Sequence, residues 1–229
     1  MRSKARRVLK CANANWKANR KMEINPGHLI RSAEELTGLY GPPLERSVRK
    51  QLDHLDDYCR AFIAASPMVF VGTQNAGAAD TSPRGDVPGF VTVPDDHTLL
   101  IPDRRGNNRT DTLKNIVANP AIGLLFLIPG INETFRVNGD AFLSQDPSLT
   151  GQFVMQGKTP RTVIIVKVKE AYIHCSRALV RSDLWNPAKH AKPGSVPTMG
   201  AMMAAHTCGF VDANTFDEEA KTRVPLTLY

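Results

Sequence analysis

The chain has 229 residues, 42% of them hydrophobic, and a formal net charge of +7 at pH 7. This length suits one large or two small domains, and the longest apolar stretch, residues 121–128, is far too short to span a bilayer. Four cysteines (Cys11, Cys59, Cys175 and Cys208) are scattered without C-x-x-C spacing. This usage favours a reducing, cytoplasmic compartment over a disulfide framework or a zinc site.

The positive charge is concentrated in one segment. Residues 1–21 contain eight Lys or Arg and no acid, and the rest of the chain carries 21 basic and 22 acidic residues. A body without excess charge argues against a nucleic-acid-binding barrel. We expect a disordered basic tail over 1–21, with a mis-called start, a targeting segment and a nucleic-acid-binding arm left open, and a single domain over 22–229.

Helix signals occur near the start and in the middle of the chain. Residues 27–41 predict a short helix, which begins either at a Ser32 cap formed together with Glu35 or earlier, near Pro26. Residues 44–65 predict a stronger helix, because apolar residues recur at three- and four-residue steps. Residues 111–118 also have helical character, and 194–206 resemble a short amphipathic helix covering a core.

The other segments have strand composition and are separated by turns. The predicted strands are residues 68–74, 78–83, 90–93, 97–101, 121–128, 134–143 and 162–172. The stretch 121–128 is apolar throughout, as expected for a strand buried on both faces. Strand number and hairpin turns alone favour a closed antiparallel barrel over a parallel sheet.

Arginines cluster in two of the loops that follow strands. They are Arg84, Arg104, Arg105 and Arg109, and Gly85, Gly106, Asn107 and Asn108 lie beside them. Arginine grips phosphate or carboxylate with two parallel hydrogen bonds, and Gly and Asn tolerate the positive φ that backbone anion nests require. The pattern predicts a phosphate-binding rim. Surface ion pairing with nearby aspartates is the alternative for any single arginine.

In order along the chain, these motifs resemble a known family. The order is helix, S-P, strand, hairpin, S-P-R-G-D, I-P-D-R-R-G-N-N-R, a helix ending in N-P, an apolar strand and E-T-F-R-V-N-G. The later stretches A-Y-I-H-C-S-R-A and R-S-D-L-W fit the same pattern. The chain resembles, from about residue 24 to 209, the FMN-binding split-barrel family typified by pyridoxamine phosphate oxidase, in its branch without an assigned reaction.

The resemblance implies a mainly β protein with flanking helices, a split β-barrel of six or seven antiparallel strands, and a homodimer that binds two FMN molecules between its subunits. It assigns the FMN phosphate to Arg84 and the segment Arg104, Arg105, Asn108 and Arg109. Glu133 and Thr134 would lie near the flavin ring, and Ser176, Arg177 and Trp185 of the second subunit would close the cleft. The oxidase's C-terminal Arg-x-His signature is absent, which argues against pyridoxamine phosphate as substrate.

Two functions remain open at this point. The first is an FMN-dependent oxidoreductase that acts on an unidentified small molecule, with a nicotinamide cofactor as one possible electron donor. The second is a flavin-, haem- or deazaflavin-binding or stress-related protein without turnover. Because a flavin carries out its own redox chemistry, neither needs a catalytic triad or a metal centre, and the sequence assigns no catalytic residue.

Overall fold

A computed structural model describes residues 22–229 of the chain. The basic segment 1–21 lies outside the described residues, so the structure does not test the predictions made for it. Contacts between residues divide the described chain into two compact units. The smaller unit contains residues 22–43 and 191–227, and the larger contains residues 44–190 and 228–229.

The larger unit is built on one antiparallel sheet with the strand order β2-β1-β5-β6-β7-β4-β3. The strands are β1 (Met68–Asn75), β2 (Ala78–Gly85), β3 (Thr92–Asp95), β4 (Thr98–Pro102), β5 (Ala121–Leu127), β6 (Thr134–Ser144) and β7 (Val163–His174). The predicted mainly β split barrel with six or seven antiparallel strands is confirmed. Within residues 22–229 no ladder joins β2 to β3, so the sheet does not close as the strand count alone had suggested.

Eight α-helices occur in the described part of the chain. They are α1 (Ala33–Tyr40), α2 (Glu45–Arg49), α3 (Asp57–Ala65), α4 (Asp111–Ala118), α5 (Pro147–Thr150), α6 (Arg177–Ser182), α7 (Met199–His206) and α8 (Ala213–Leu226). Short 3-10 turns occupy Pro26–His28, Gly151–Phe153 and Pro187–Lys189. No helix in residues 22–229 is long and apolar enough to cross a membrane.

The core of the larger unit lies on one face of the sheet. Alternate residues of the central strands, among them Val69, Phe126 and Val137, are completely buried there. The prediction that β5 is buried on both faces is wrong, because Leu125 and Leu127 point to the opposite face and are only partly covered. The outer face therefore lacks an apolar cover at β1 and β5 within the larger unit, whereas at β4 and β7 a second buried cluster of Leu100, Val163 and Phe153 covers it.

The predicted helix over 44–65 is broken in the structure into α2 and α3. Between them the backbone of Leu52 exchanges two hydrogen bonds with Ala171 of β7, at 3.0 and 2.8 Å. Asp56 then caps α3 by accepting a hydrogen bond from the backbone N–H of Cys59 at 2.8 Å. Pairing with a strand more than one hundred residues away therefore replaces the helical hydrogen bonds that periodicity predicts.

The hairpin of β3 and β4 turns later than predicted. The sequence placed the turn at Pro94, Asp95 and Asp96, whereas Asp95 ends β3 and its side chain accepts a hydrogen bond from the backbone N–H of His97 at 2.8 Å. This contact moves the turn to Asp96 and His97. Pro94 is tolerated because β3 is the edge strand of the sheet.

The smaller unit contains α1, α7 and α8. The predicted Ser32 cap of α1 is confirmed, since Ser32 Oγ accepts a hydrogen bond from the backbone N–H of Glu35 at 3.2 Å. Helix α7 begins at Met199, later than predicted, and α8 was not predicted at all. The two helices contact each other at Gly200, whose backbone N–H donates to Asp217 Oδ1 at 2.7 Å and whose Cβ, if present, would collide with the carbonyl oxygen of Ala213.

The cysteines differ from expectation at one position. Cys59 and Cys175 are free thiols. Cys208 is disulfide-bonded, which contradicts the expectation of reduced thiols throughout.

Candidate functional site

The ends of β2 and β4 bring a partly buried arginine next to a partly buried carboxylate. Arg84 lies at the end of β2, and one of its terminal nitrogens is 3.7 Å from Asp103 Oδ1, directly after β4. Arg84 Nη1 donates to Ser82 Oγ at 3.1 Å, whereas its Nε is buried without a hydrogen-bond partner. Burial raises the pKa of Asp103, and the charge of Arg84 only partly offsets this effect.

A chain of side-chain hydrogen bonds fixes the position of Arg84. Ser82 Oγ and Thr112 Oγ1 of α4 are 2.9 Å apart, and Thr112 Oγ1 donates to Asp80 Oδ2 at 2.8 Å. Thr112 is buried, so this chain is shielded from water that would compete for its bonds. Residues at the end of β2 and at the start of α4 therefore jointly fix the position of the Arg84 side chain.

Arg104, the first arginine after β4, is bound within the chain. Its Nε lies 2.7 Å from Asp86 Oδ2, and its Nη1 donates to the carbonyl oxygen of Phe153 at 2.6 Å. The Tyr229 ring lies 5.3 Å from the Arg104 guanidinium, and its hydroxyl donates to Asp86 Oδ1 at 2.6 Å. Burial alone would raise the pKa of Asp86, but the hydrogen bonds from Tyr229, Val87 and Arg104 lower it. The charge of Arg104 is therefore largely neutralised by Asp86.

A cavity of about 660 Å³ opens beside these residues. Its lining comes from the loop after β4 (Asp103, Arg104, Arg105, Gly106 and Asn108), from the loop before β7 (Lys158, Thr159, Pro160 and Arg161) and from Tyr229. Arg105 and Arg161 make no hydrogen bond or ion pair with any described residue. Lys158 Nζ donates to the carbonyl oxygen of Tyr229 at 2.8 Å. We call this the strand-end cavity.

The strand-end cavity gathers most of the predicted phosphate-binding residues and adds two that sequence reasoning missed. Lys158 and Arg161 follow the same pattern as the predicted loops, since they lie in a G-K-T-P-R stretch directly before a strand. That composition is a signal that a search for basic Gly- and Pro-containing strand-end loops would have found. About fifty residues separate the two loops, so sequence proximity does not connect them.

Arg109 lies outside the lining of this cavity. Its Nε is 2.8 Å from Asp111 Oδ2, and 76% of its side chain is exposed. The surface ion pairing considered as the alternative is therefore present at this arginine. Asn108 does adopt the left-handed conformation expected of a nest, with φ of 60°.

The remaining predicted site residues lie at the other end of β6 and β7. Thr134, directly after Glu133, pairs with His174, and Ser176 and Arg177 follow within three residues. Trp185 Nε1 donates to the carbonyl oxygen of Ile131 at 2.9 Å. A cavity of about 280 Å³ lies between Trp185 and the β5–β6 turn. We call the region formed by residues 130–134 and 174–186 the hairpin end. Within one chain it lies at the opposite end of β6 and β7 from the strand-end cavity.

An open antiparallel sheet with helices on its flanks defines a split-barrel fold. The model of the family described as pyridoxamine 5'-phosphate oxidase matches residues 55–175. The chain belongs to this family. The match includes α3, all seven strands and α4.

Solved structures with a similar arrangement come from several bacteria. HupZ of Group A Streptococcus is 18% identical over 51% of this chain and 90% of its own, with a TM-score of 0.43. A putative pyridoxamine 5'-phosphate oxidase from Lactobacillus delbrueckii is 16% identical over 54% of this chain and 98% of its own, with a TM-score of 0.43. An FMN-binding protein from Syntrophomonas wolfei is 12% identical over 51% of this chain and 83% of its own, with a TM-score of 0.41. No curated protein matches the chain.

Proposed function

We propose that this protein binds FMN and holds the FMN phosphate in the strand-end cavity. The observation that carries the proposal is the charge of the lining. Apart from Arg104, whose charge is largely neutralised by Asp86, three cations (Arg105, Lys158 and Arg161) line the cavity with one carboxylate, Asp103. A surface with this excess of one charge attracts a ligand of the opposite charge.

The donors fit a phosphate group. A phosphate leaves water for a protein site only when two or three charge-assisted hydrogen bonds replace its hydration. Arg105 and Arg161 have their full donor capacity free, and the buried Nε of Arg84 lacks an acceptor. The volume of about 660 Å³ lies within the range of about 300–1,000 Å³ that is usual for small-molecule sites.

The flavin ring needs a second surface, which we assign to a cleft between two copies of the chain. Glu133 and Thr134 of one copy, with Ser176, Arg177 and Trp185 of the other, would border the ring. When bound, FMN supplies hydride and electron transfer, and the protein supplies orientation and exclusion of water. We therefore propose an oxidoreductase that acts on a small molecule, with a nicotinamide cofactor among the candidate electron donors.

Homodimerisation is supported by the outer face of the sheet. Phe70 of β1 is 36% exposed there, and Leu125 and Leu127 of the neighbouring β5 are only partly covered. Adjacent exposed apolar side chains mark an interaction surface. Sedimentation of the purified protein is expected to give a dimer, and a stable monomer that retains FMN would refute this assignment.

The cofactor is tested on protein purified from cells that make flavins. We expect a yellow protein with flavin absorbance bands, which releases FMN rather than FAD on denaturation. The distinction between FMN and FAD follows from the single terminal phosphate that the strand-end cavity would hold. A colourless protein that also fails to take up added FMN would refute the proposal.

A further inference from the structure

Two basic residues and an aromatic residue meet on the outer face of the sheet, near the hairpin end. Arg136 of β6 pairs with Tyr172 of β7, and Thr134 pairs with His174 in the next outward-facing row. Arg136 Nη1 lies 3.1 Å from the Tyr172 hydroxyl. The ring centroids of Tyr172 and His174 are 5.3 Å apart. Alternation along the strands thus gives these side chains a common face.

Lys50 reaches the same group from the segment between α2 and α3. The backbone pairing of Leu52 with Ala171 holds this segment against β7. Lys50 Nζ lies 5.5 Å from the centre of the Tyr172 ring and donates to the carbonyl oxygen of Ile173 at 2.6 Å. Both cations therefore flank one tyrosine ring, and we call Lys50, Arg136, Tyr172 and His174 the outer-face cluster.

The outer-face cluster lacks an anion. Neither Lys50 nor Arg136 forms an ion pair with a carboxylate of the described residues. His174 Nε2 is buried without a hydrogen-bond partner. The pKa of His174 is lowered by its burial and then by the charges of Arg136 and Lys50, so the imidazole is neutral at pH 7. Uncompensated cations and an unpaired buried nitrogen are both stabilised by an oxyanion.

Charged groups farther along the same strands are paired. Lys169 Nζ is 2.7 Å from Asp140 Oδ2, and Asn138 Nδ2 donates to Glu170 Oε2 at 3.0 Å. The carboxylates of Asp140 and Glu170 are thus bound to other side chains next to the outer-face cluster, and neither forms an ion pair with Lys50 or Arg136. A general excess of basic residues on this face does not account for the difference.

We propose that the outer-face cluster is a second anion-binding site, which takes a carboxylate or phosphate group of a small molecule. Lys50 and Arg136 supply the charge, and the His174 ring lies next to the Tyr172 ring between them. The site is distinct from the strand-end cavity. Val163, at the start of β7, pairs with Pro102 beside that cavity, and His174 ends the same strand. The second site borders the cleft proposed above for the flavin ring, because His174 pairs with Thr134.

The imidazole of His174 provides a local reporter, so binding there is separable from binding in the strand-end cavity. We suggest titrating the full chain with inorganic phosphate, and in a second arm with succinate, at constant ionic strength while recording histidine side-chain NMR spectra. His174→Gln identifies the resonance. We expect a saturable shift of the His174 signal, and the arm with the tighter binding identifies the phosphate or carboxylate as the preferred group.

Variants decide whether the outer-face cluster forms the site. Arg136→Gln and Lys50→Gln are each expected to weaken the His174 response at least tenfold, whereas Lys169→Gln, which removes a paired cation from the same face, leaves it unchanged. Circular dichroism confirms that each variant is folded. No saturable shift, or an equal shift in Arg136→Gln and the original protein, would overturn the proposal. A His174 signal that changes only with protein dilution would also overturn it and assign the cluster to contacts between copies.

Discussion

The strand-end cavity and the hairpin end differ in how they use their hydrogen-bond donors. In the cavity, Arg105 and Arg161 contact no acceptor. Arg84 lies outside the lining, 3.7 Å from the lining residue Asp103, and its Nε is buried without an acceptor. At the hairpin end, the indole N–H of Trp185 is bound to Ile131, and the side chain of Asn186 donates to Asp183 at 2.8 Å.

Hydrogen-bond donors without a partner in the chain and donors bound within the chain have different roles. A buried donor normally has a partner, so the buried Nε of Arg84 indicates a place where a ligand supplies an acceptor. The exposed Arg105 and Arg161 have only water to displace when a ligand binds. Donors that are bound within the chain hold its segments together instead. The comparison therefore predicts that substitutions in the strand-end cavity change FMN affinity, whereas loss of a hydrogen bond at the hairpin end changes stability.

Replacing Arg84 with Ala is expected to have the largest effect. FMN binding should weaken by about 1.5–3 kcal/mol, the range for hydrogen bonds to a charged group. Isothermal titration calorimetry measures the loss. Arg46→Ala, an equal change of charge on the exposed helix α2, is the matched control and should bind FMN as the original protein does. Equal affinities for the Arg84 and Arg46 variants would show that the phosphate lies elsewhere.

The exposed arginines of the cavity should have smaller effects. Arg105→Ala and Arg161→Ala are each expected to cost about 1 kcal/mol of FMN affinity, since solvent screens exposed charges. Arg109→Ala, whose side chain is paired with Asp111, should cost less than about 0.5 kcal/mol. The same titration ranks the three variants. A larger loss of FMN affinity in Arg109→Ala than in Arg105→Ala and Arg161→Ala would assign the phosphate to a position near the start of α4 instead.

Substitutions of Trp185 test the comparison at the hairpin end. Trp185→Phe keeps an aromatic ring but removes the N–H bound to Ile131, so we expect a loss of about 1 kcal/mol in the free energy of unfolding and unchanged FMN affinity. Trp185→Ala removes the ring as well and tests whether this residue closes the cleft of a second copy. Denaturant unfolding and FMN titration measure both quantities. Reduced FMN affinity in Trp185→Phe would contradict the proposed division.

Substitution of Asp103 should have the smallest effect, a change in thermal stability that depends on pH. Because its pKa is raised in the folded protein, the folded state binds a proton more readily than the unfolded chain does, and its ionised form costs stability. Asp103→Asn should therefore raise the thermal midpoint of the ligand-free protein at pH 7 by a small amount. This advantage should shrink as the pH falls through the pKa of folded Asp103. A lower midpoint for Asp103→Asn at pH 7 would mean that its ion pair with Arg84 outweighs the burial.

The sequence predicts those features that local patterns determine. The Ser32 cap, the strand segments and the loop arginines are each encoded within about ten residues, so they could be recognised without the fold. The break at Leu52 could not, because its hydrogen-bond partner Ala171 is distant in sequence and lies on β7. Lys158 and Arg161 come close to Arg105 through a different long-range pairing, that of Pro102 on β4 with Val163 on β7. The local pattern assigns Arg109 to the phosphate site because of its neighbours in the sequence. The same pattern offers surface ion pairing only as an alternative, and the structure shows the pair with Asp111.

The most direct test of the central claim compares the affinities of the purified protein for FMN and for riboflavin, which lacks the phosphate. If the strand-end cavity holds the phosphate with at least two charge-assisted hydrogen bonds, FMN should bind tighter by about 3 kcal/mol, or roughly 100-fold. Arg84→Ala should reduce this ratio while leaving riboflavin affinity unchanged. Equal affinities for FMN and riboflavin in the original protein would contradict the assignment of the cavity.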